Sequence, residues 1–301
     1  MGRELTIAGR LITDEAPCYV IAELGNNHGG DLPTAKLMIR KAAEAGASAV
    51  KFQKRDNANL YTAALLAKSY EHEDSYGATY GLHREALEFT PQQIQKCQRM
   101  AQDRGLACFS TAFDERSADA LYHIGCRCFK VHSGGLTDGP LLHHLAAFGV
   151  PVLVSTGGGE LEDIDRAHEM LGACPHAFLH CTASYPLKAA EANLRCILTL
   201  GKRYPDTVIG FSSHHPGIAL SLIAYAFGAR IIEHHFTLSR ASKGTDHGFS
   251  LEPKGLQTLV EDLETVRQAL GDGVKKFYPS EVAPIAKMRR VQTDEGWKIA
   301  G

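Results

Sequence analysis

A charge excess of either sign is missing from this sequence: 32 lysines and arginines stand against 34 aspartates and glutamates, leaving −2 with the histidines neutral. A partner held by bulk positive charge, nucleic acid above all, is excluded on that ground. No apolar run approaches the ~20 residues of a membrane span, and the opening MGRELTIAGR lacks the apolar core of a signal peptide. No Cys-x-x-Cys pair occurs, although there are eight cysteines, at 18, 97, 108, 126, 128, 174, 181 and 196. Most lie inside apolar runs such as LACFST and HAFLHCT, so reduced, buried thiols are expected rather than a disulfide framework. These absences leave the expectation of a soluble, cytoplasmic protein that binds neither nucleic acid nor membrane.

What is present is a repeat. Eight short apolar runs recur: Tyr19–Leu24, Ala49–Gln53, Leu106–Thr111, Cys128–Ser133, Val150–Thr156, Ala177–Thr182, Val208–Ser213 and Ile231–Thr237. Their near-continuous apolar content suits strands covered on both faces of a parallel sheet. Amphipathic stretches fill the gaps: Leu32–Ala45, Pro91–Arg104, Glu115–Ile124, Gly139–Phe148, Leu161–Leu171, Ala190–Lys202, Gly217–Phe227 and Pro253–Leu270. Thr90-Pro91 is a helix start signal, and Gly46, Gly105, Gly125, Gly149 and Gly228 fall just past helix ends. Eight such units predict an α/β fold, a (β/α)8 barrel of the TIM type, with a doubly wound open sheet as the alternative. Leu5–Ile12 predicts a short N-terminal hairpin at the barrel bottom, and Lys54–Phe89 a long loop after the second strand. Residues 1–290 then form one barrel domain and 291–301 a tail. From Gly271 onward the chain reads as a final helix or an extended arm.

Barrel enzymes place their chemistry where strands end. Every run here closes on polar groups: Glu23, Asn26 and His28; Lys51 and Gln53; Ser110 and Thr111; Lys130, His132 and Ser133; Ser155 and Thr156; His180 and Thr182; Ser212 to His215; Glu233 to His235. A lysine inside a buried strand needs an anionic partner. For Lys51 and Lys130 that partner is either a structural carboxylate, with Glu23 and Glu233 available, or the phosphate or carboxylate of a ligand assisted by Ser133, Ser155 and Ser212. His214 and His235 end adjacent strands, where two imidazoles can be structural or can hold a divalent transition metal. His215 and His234 flank them, pointing outward or supporting the site, and Asp246 lies on the loop that follows.

The ordered motifs IAELGNNHGGDLPTAKLMI, AGASAVKFQ, FSTAFD, FKVHSG, VLVSTG, HCTASYP, IGFSSHHPG, IIEHHFTL and TDHGFSLEP resemble the sialic acid synthases and their nonulosonate relatives, up to about Arg290. The resemblance implies a homodimeric, metal-dependent barrel that condenses phosphoenolpyruvate with an amino-sugar aldehyde. It implies metal-ligand roles for His214 and His235, with Mn2+ ahead of Mg2+, Co2+, Fe2+ or Zn2+, and catalytic roles for these two with Glu23 and Asp246. Lys51, Thr111, Lys130, Ser133, Ser155, Thr182 and Ser212 match the phosphoenolpyruvate set. Asn26, Gln53, Tyr185 and Asp246 match the acceptor side.

The chain departs from that pattern at Gly135, where family members carry glutamate, at Ser213, where they carry aspartate, and at His234, where they carry lysine. A C-terminal antifreeze-like domain that touches the acceptor in relatives has no counterpart in these 301 residues. Besides the synthase, two readings fit the rim: a metal-dependent lyase or epimerase, and a non-catalytic sugar-binding paralogue.

Overall fold

A computed structural model describes residues 2–299. A hairpin of β1 (Leu5–Ile7) and β2 (Arg10–Ile12) precedes eight barrel strands. These are β3 (Tyr19–Gly25), β4 (Ala49–Lys54), β5 (Ala107–Ala112), β6 (Phe129–Val131), β7 (Val152–Ser155), β8 (His176–Cys181), β9 (Val208–Ser213) and β10 (Ile231–His235). All pair in parallel, each with the next in sequence, and β10 closes on β3. No strand order reverses, so the doubly wound alternative falls. β3, β7 and β9 are buried along their whole length, the pattern that continuous apolar runs require.

The first helix is α1 (Leu32–Glu44), and the insertion after β4 holds α2 (Asn57–Leu60), α3 (Ala63–Leu66) and α4 (Tyr80–Leu87). Then come α5 (Pro91–Gln102), α6 (Glu115–His123), α7 (Gly139–Ala147), α8 (Leu161–Leu171), α9 (Cys196–Arg203), α10 (Ala219–Ala226) and α11 (Pro253–Leu270). Side chains of Asp31, Thr90, Asp114 and Asp138 cap α1, α5, α6 and α7, taking backbone N–H groups that the helix leaves unpaired. The helix expected over 190–202 is split instead. Ala189–Glu191 makes one 3-10 turn, Asn193 turns left-handed at φ +38°, and α9 starts only at Cys196.

Ala8 and Gly9 join the first hairpin with φ of +49° and +80°, the mirror-image turn that matches strand twist. Ile7 and Ala8 share a cavity with Leu106 and Cys128, beside the starts of β5 and β6, so the hairpin lies at the barrel bottom. The compact unit containing the barrel ends at Arg267. From Gln268 on, a second unit holds a short helix α12 (Val282–Ala286) and a hairpin of β11 (Arg290–Thr293) and β12 (Gly296–Ile299), in place of one final helix. All eight cysteines are free, and six are buried. Among the described residues no helix is long and apolar enough to cross a membrane.

The loop after β3 is tied to the insertion at Gly30. Its φ is +75°, and a Cβ there would lie 2.0 Å from the Ala86 carbonyl oxygen. Gly105 has almost the same φ, +74°, with open space around it. Gly105→Ala is therefore expected to cost about 1–2 kcal/mol in backbone strain alone. Gly30→Ala adds overpacking of about 1–3 kcal/mol against an atom that cannot swing away. Urea unfolding of the two variants should separate them by that margin; equal midpoints would show that the Ala86 contact yields.

Candidate active site

Side chains alternate along a strand, so residues two apart share a face. At the carboxyl ends of the barrel strands this brings Lys51 and Gln53, Lys130 and His132, Ser212 and His214, and Glu233 and His235 to one cavity. Glu23, Thr111, Phe113, Ser133, Ser155, Cys181 and Tyr185 complete its wall. Strand register sets the neighbours: His235 stands opposite Glu23, Glu23 opposite Lys51, Thr111 opposite Lys130, and Ser212 opposite Glu233. The register of β3 against β4 shifts between Glu23 and Gly25, an irregularity beside the site.

Both lysines have the buried carboxylate partners that packing demands. Lys51 Nζ is 2.7 Å from Glu23 Oε2 and 3.8 Å from Glu233 Oε1, and it donates to Thr111 Oγ1 at 2.8 Å. Lys130 Nζ donates to Ser155 Oγ at 2.5 Å and to the Val131 carbonyl at 3.1 Å, with Glu233 Oε1 at 3.9 Å. Ser212 Oγ donates to the same Glu233 oxygen at 3.1 Å. All four charged side chains are 5% exposed or less, so the site holds two cations balanced by two carboxylates. Burial alone would raise the Glu233 pKa, but Lys130 and Lys51 outweigh it and bring it down to about 2. Burial pushes Lys130 below the usual lysine range despite Glu233. An entering anion meets two lysine side chains that the carboxylates of Glu23 and Glu233 already hold in position.

The histidine corner forms as the strand ends suggest. The His214 and His235 rings lie 5.4 Å apart, with Phe249 against both and Tyr185 over His214 at 4.0 Å. Burial, with His235 beside it, lowers His214 to about 3 and keeps the imidazole neutral, the form that ligates metal. His214 Nδ1 rests 3.1 Å from the Thr182 carbonyl, which fixes its ring. His235 Nδ1 is buried without a hydrogen bond, and Asp246 Oδ2 lies 3.6 Å from it. Among the described residues no three His, Cys, Asp or Glu side chains gather as a metal cage. The corner suits an ion held by two imidazoles whose other positions stay open to ligands.

Outward from this corner lies a vestibule of about 460 Å³, lined by Asn26, Gln53, Tyr185, Asp246, Arg55, Arg84, Phe113 and His132 among others. Gln53 spans the two regions: its Nε2 donates to Glu23 Oε1 at 2.8 Å and its Oε1 accepts from Arg55 at 2.5 Å. Thr182 is placed differently from expectation. It follows Cys181 and so faces away, lining the neighbouring cavity and donating to the Glu191 carbonyl at 3.0 Å. Its contribution to the corner is its backbone, and the side chain in the cavity is Cys181. His234 is fully buried and His215 accepts from Gly217 N; neither lines the central cavity.

Sequence reasoning gave no role to Phe113, Cys181, Arg55 or Arg84, read His132 only as a strand-end group, and offered Glu233 as a structural partner for the two lysines, beside which the structure places it. The period of two was the available signal for Glu233, two before His235, and for His132, two after Lys130. Nothing local marks Arg84, which the insertion delivers from α4.

This chain resembles known proteins over most of its length. It is 39% identical over 277 residues to the human N-acetylneuraminate-9-phosphate synthase, covering 91% of this chain and 77% of that protein. It is 33% identical over 281 residues to the N,N'-diacetyllegionaminic acid synthase of Legionella pneumophila, covering 91% and 79%. The crystal structure of an N-acetylneuraminic acid synthetase from Leptospira borgpetersenii, in complex with citrate, superposes with a TM-score of 0.83 at 33% identity, over 95% of this chain and 96% of that one. The NeuB family model matches residues 38–275, a span that runs through seven of the eight barrel strands and both histidines of the corner, and the chain belongs to the NeuB family.

Proposed function

We propose that this protein condenses phosphoenolpyruvate with an aldose aldehyde, releasing phosphate and forming a 2-keto-3-deoxy sugar acid of the nonulosonate type. The observation that carries the reading is the junction, in one cavity, of a lysine- and serine-lined cradle with a two-imidazole corner. Relatives named as sialic and legionaminic acid synthases support it. Lys51 and Lys130, with Thr111, Ser133, Ser155 and Ser212, bind the phosphoenolpyruvate anion. C3 of phosphoenolpyruvate bonds to the aldehyde carbon, water adds at C2, and the C2–O bond to phosphate breaks to leave the ketone. Glu23, held by Lys51 and Gln53, is placed to move the proton of that water. His214 and His235 would hold a divalent ion, Mn2+ first, which when bound would supply Lewis acidity toward the aldehyde oxygen. Asn26, Gln53, Tyr185 and Asp246 orient the acceptor in the vestibule.

Arg84 argues further for a phosphorylated acceptor. It accompanies Arg55 in the vestibule wall, and no ion-pair partner is found for it among the described residues; its guanidinium meets only the Tyr80 hydroxyl, at 3.0 Å, and that ring. The human relative's name specifies a 9-phosphate product. Removing the three phosphoenolpyruvate carbons places that phosphate on the sixth carbon of the acceptor. With Mn2+ and phosphoenolpyruvate, N-acetylhexosamine 6-phosphates should release phosphate with kcat/KM about 10–100-fold above the unphosphorylated sugars, the scale of a charge-assisted hydrogen bond. Arg84→Ala should erase that preference and spare the unphosphorylated reaction. No phosphate release with any aldose would exclude the synthase and leave the lyase or sugar-binding reading. Release with equal preference would exclude the phosphorylated acceptor alone.

A further inference from the structure

His132 follows the end of β6. His132 lies where the cradle opens into the vestibule and lines both spaces. Its ring stacks on Phe113, with centroids 4.2 Å apart and planes 20° from parallel. Two glycines follow Ser133, and both make room. A Cβ at Gly134 would lie 2.8 Å from His132 Cε1, and one at Gly135 would lie 2.8 Å from Val131 Cγ1 and 3.7 Å from His132 Nε2. The loop thus forgoes a side chain at Gly134 to seat this imidazole, and at Gly135 one that would meet Val131.

The hydrogen bonds fix which nitrogen carries the proton. His132 Nδ1 accepts from the Gly134 backbone N–H at 3.1 Å, so Nδ1 has no proton of its own. In the neutral ring the proton sits on Nε2. Burial, reinforced by Lys130, Arg55 and Lys51, lowers the pKa of this ring to about 4 and keeps it neutral near pH 7. Among the described residues Nε2–H meets no acceptor, and the ring borders open space on two sides. Lys130, two residues earlier on the same strand face, belongs to the cradle.

We propose that His132 is a substrate-contacting hydrogen-bond donor, presenting Nε2–H to an oxygen of phosphoenolpyruvate at the mouth of the cradle. The proposal rests on the synthase reading for its ligand, but its first test needs no turnover. In protein labelled with 15N-histidine, phosphoenolpyruvate added with Mg2+ and without acceptor should shift the His132 Nε2–H resonance downfield, the Nδ1 signal staying that of an unprotonated nitrogen. The second test is kinetic. His132→Phe keeps the stack on Phe113 and removes the donor, and should lower kcat/KM for phosphoenolpyruvate about 10–100-fold. His132→Gln places an amide N–H near the Nε2 position and should return most of that loss. A saturating phosphoenolpyruvate titration that leaves the resonance unmoved would overturn the proposal, as would a His132→Phe enzyme within about threefold of the parent. A chain that shows the shift but releases no phosphate with any aldose would retain His132 as a ligand contact and lose the synthase reading, so the two failures are distinct.

Discussion

Lys130→Met is expected to reduce phosphate release by about 10²–10³-fold, the scale for removing one preorganised charge stabiliser, and to cost about 3 kcal/mol of folding stability. The two effects have different origins. Lys130 is 2% exposed, and its amine faces Ser155, the Val131 carbonyl and, at 3.9 Å, Glu233. Taking away one partner of a buried pair strands the other charge, at a typical cost of about 3–5 kcal/mol. Lys51, 3.8 Å from the same carboxylate oxygen, holds the loss to the lower end. Lys130→Met combined with Glu233→Gln removes the stranded charge and should recover stability to within about 1 kcal/mol of the parent, in the manner of a coupled pair. Activity should stay lost, because the neutral pair no longer attracts an anion. Urea unfolding and a phosphate-release assay on the three variants give the readout. If the double variant regained activity with stability, Lys130 would serve only to neutralise Glu233, and the cradle would lose one of its two cations.

The architecture was legible because every barrel strand advertises itself twice, as an apolar run and as a polar stop. Val208–Ser213 and Leu161–Leu171 have the bounds their patterns predict. The 190–202 helix failed because Asn193 adopts a left-handed conformation that hydrophobic spacing cannot reveal. Within the site, residues on strands were easier to find than residues on loops. Lys51 and Lys130 stand out as charges inside apolar runs, whereas Arg55 and Arg84 sit in a polar insertion where arginine is ordinary. Thr182 shows the resolution limit of strand-end reasoning: an error of one residue moves a side chain from the cavity to the opposite face. Its neighbour Cys181 has the inward position instead.

The barrel also carries an acid sensitivity written in its buried imidazoles. His28, His214 and His234 are 3%, 4% and 0% exposed. Burial is the leading cause of each shift: His28 and His234 fall to about 4 and His214 to about 3. In the unfolded chain each titrates near 6.5. Because the folded values are the lower ones, the unfolded state takes up protons first as pH falls. Stability from these groups is therefore fully present above pH ~6.5 and is lost as pH drops toward ~4. At pH 5 each histidine lies about 1.5 units below its unfolded pKa, which costs about 2 kcal/mol per group and about 6 kcal/mol for three. That is comparable to the whole stability of many domains, about 5–15 kcal/mol. Glu233, lowered to about 2, loses its contribution only further down, between pH ~4.5 and ~2, outside this window. Urea midpoints of metal-free protein at pH 7.5, 6.5, 5.5 and 5.0 should fall steeply below 6.5, these three rings contributing about three of the protons taken up on unfolding at pH 5, beside those of His83 and His132, which burial also lowers to about 4. His28→Gln, which removes one imidazole from the stack against Phe89, should cut that uptake by one proton. A flat profile from pH 7.5 to 5.0 would mean that these rings are protonated or hydrated in the folded state, and the neutral His214 on which the corner depends would go with it.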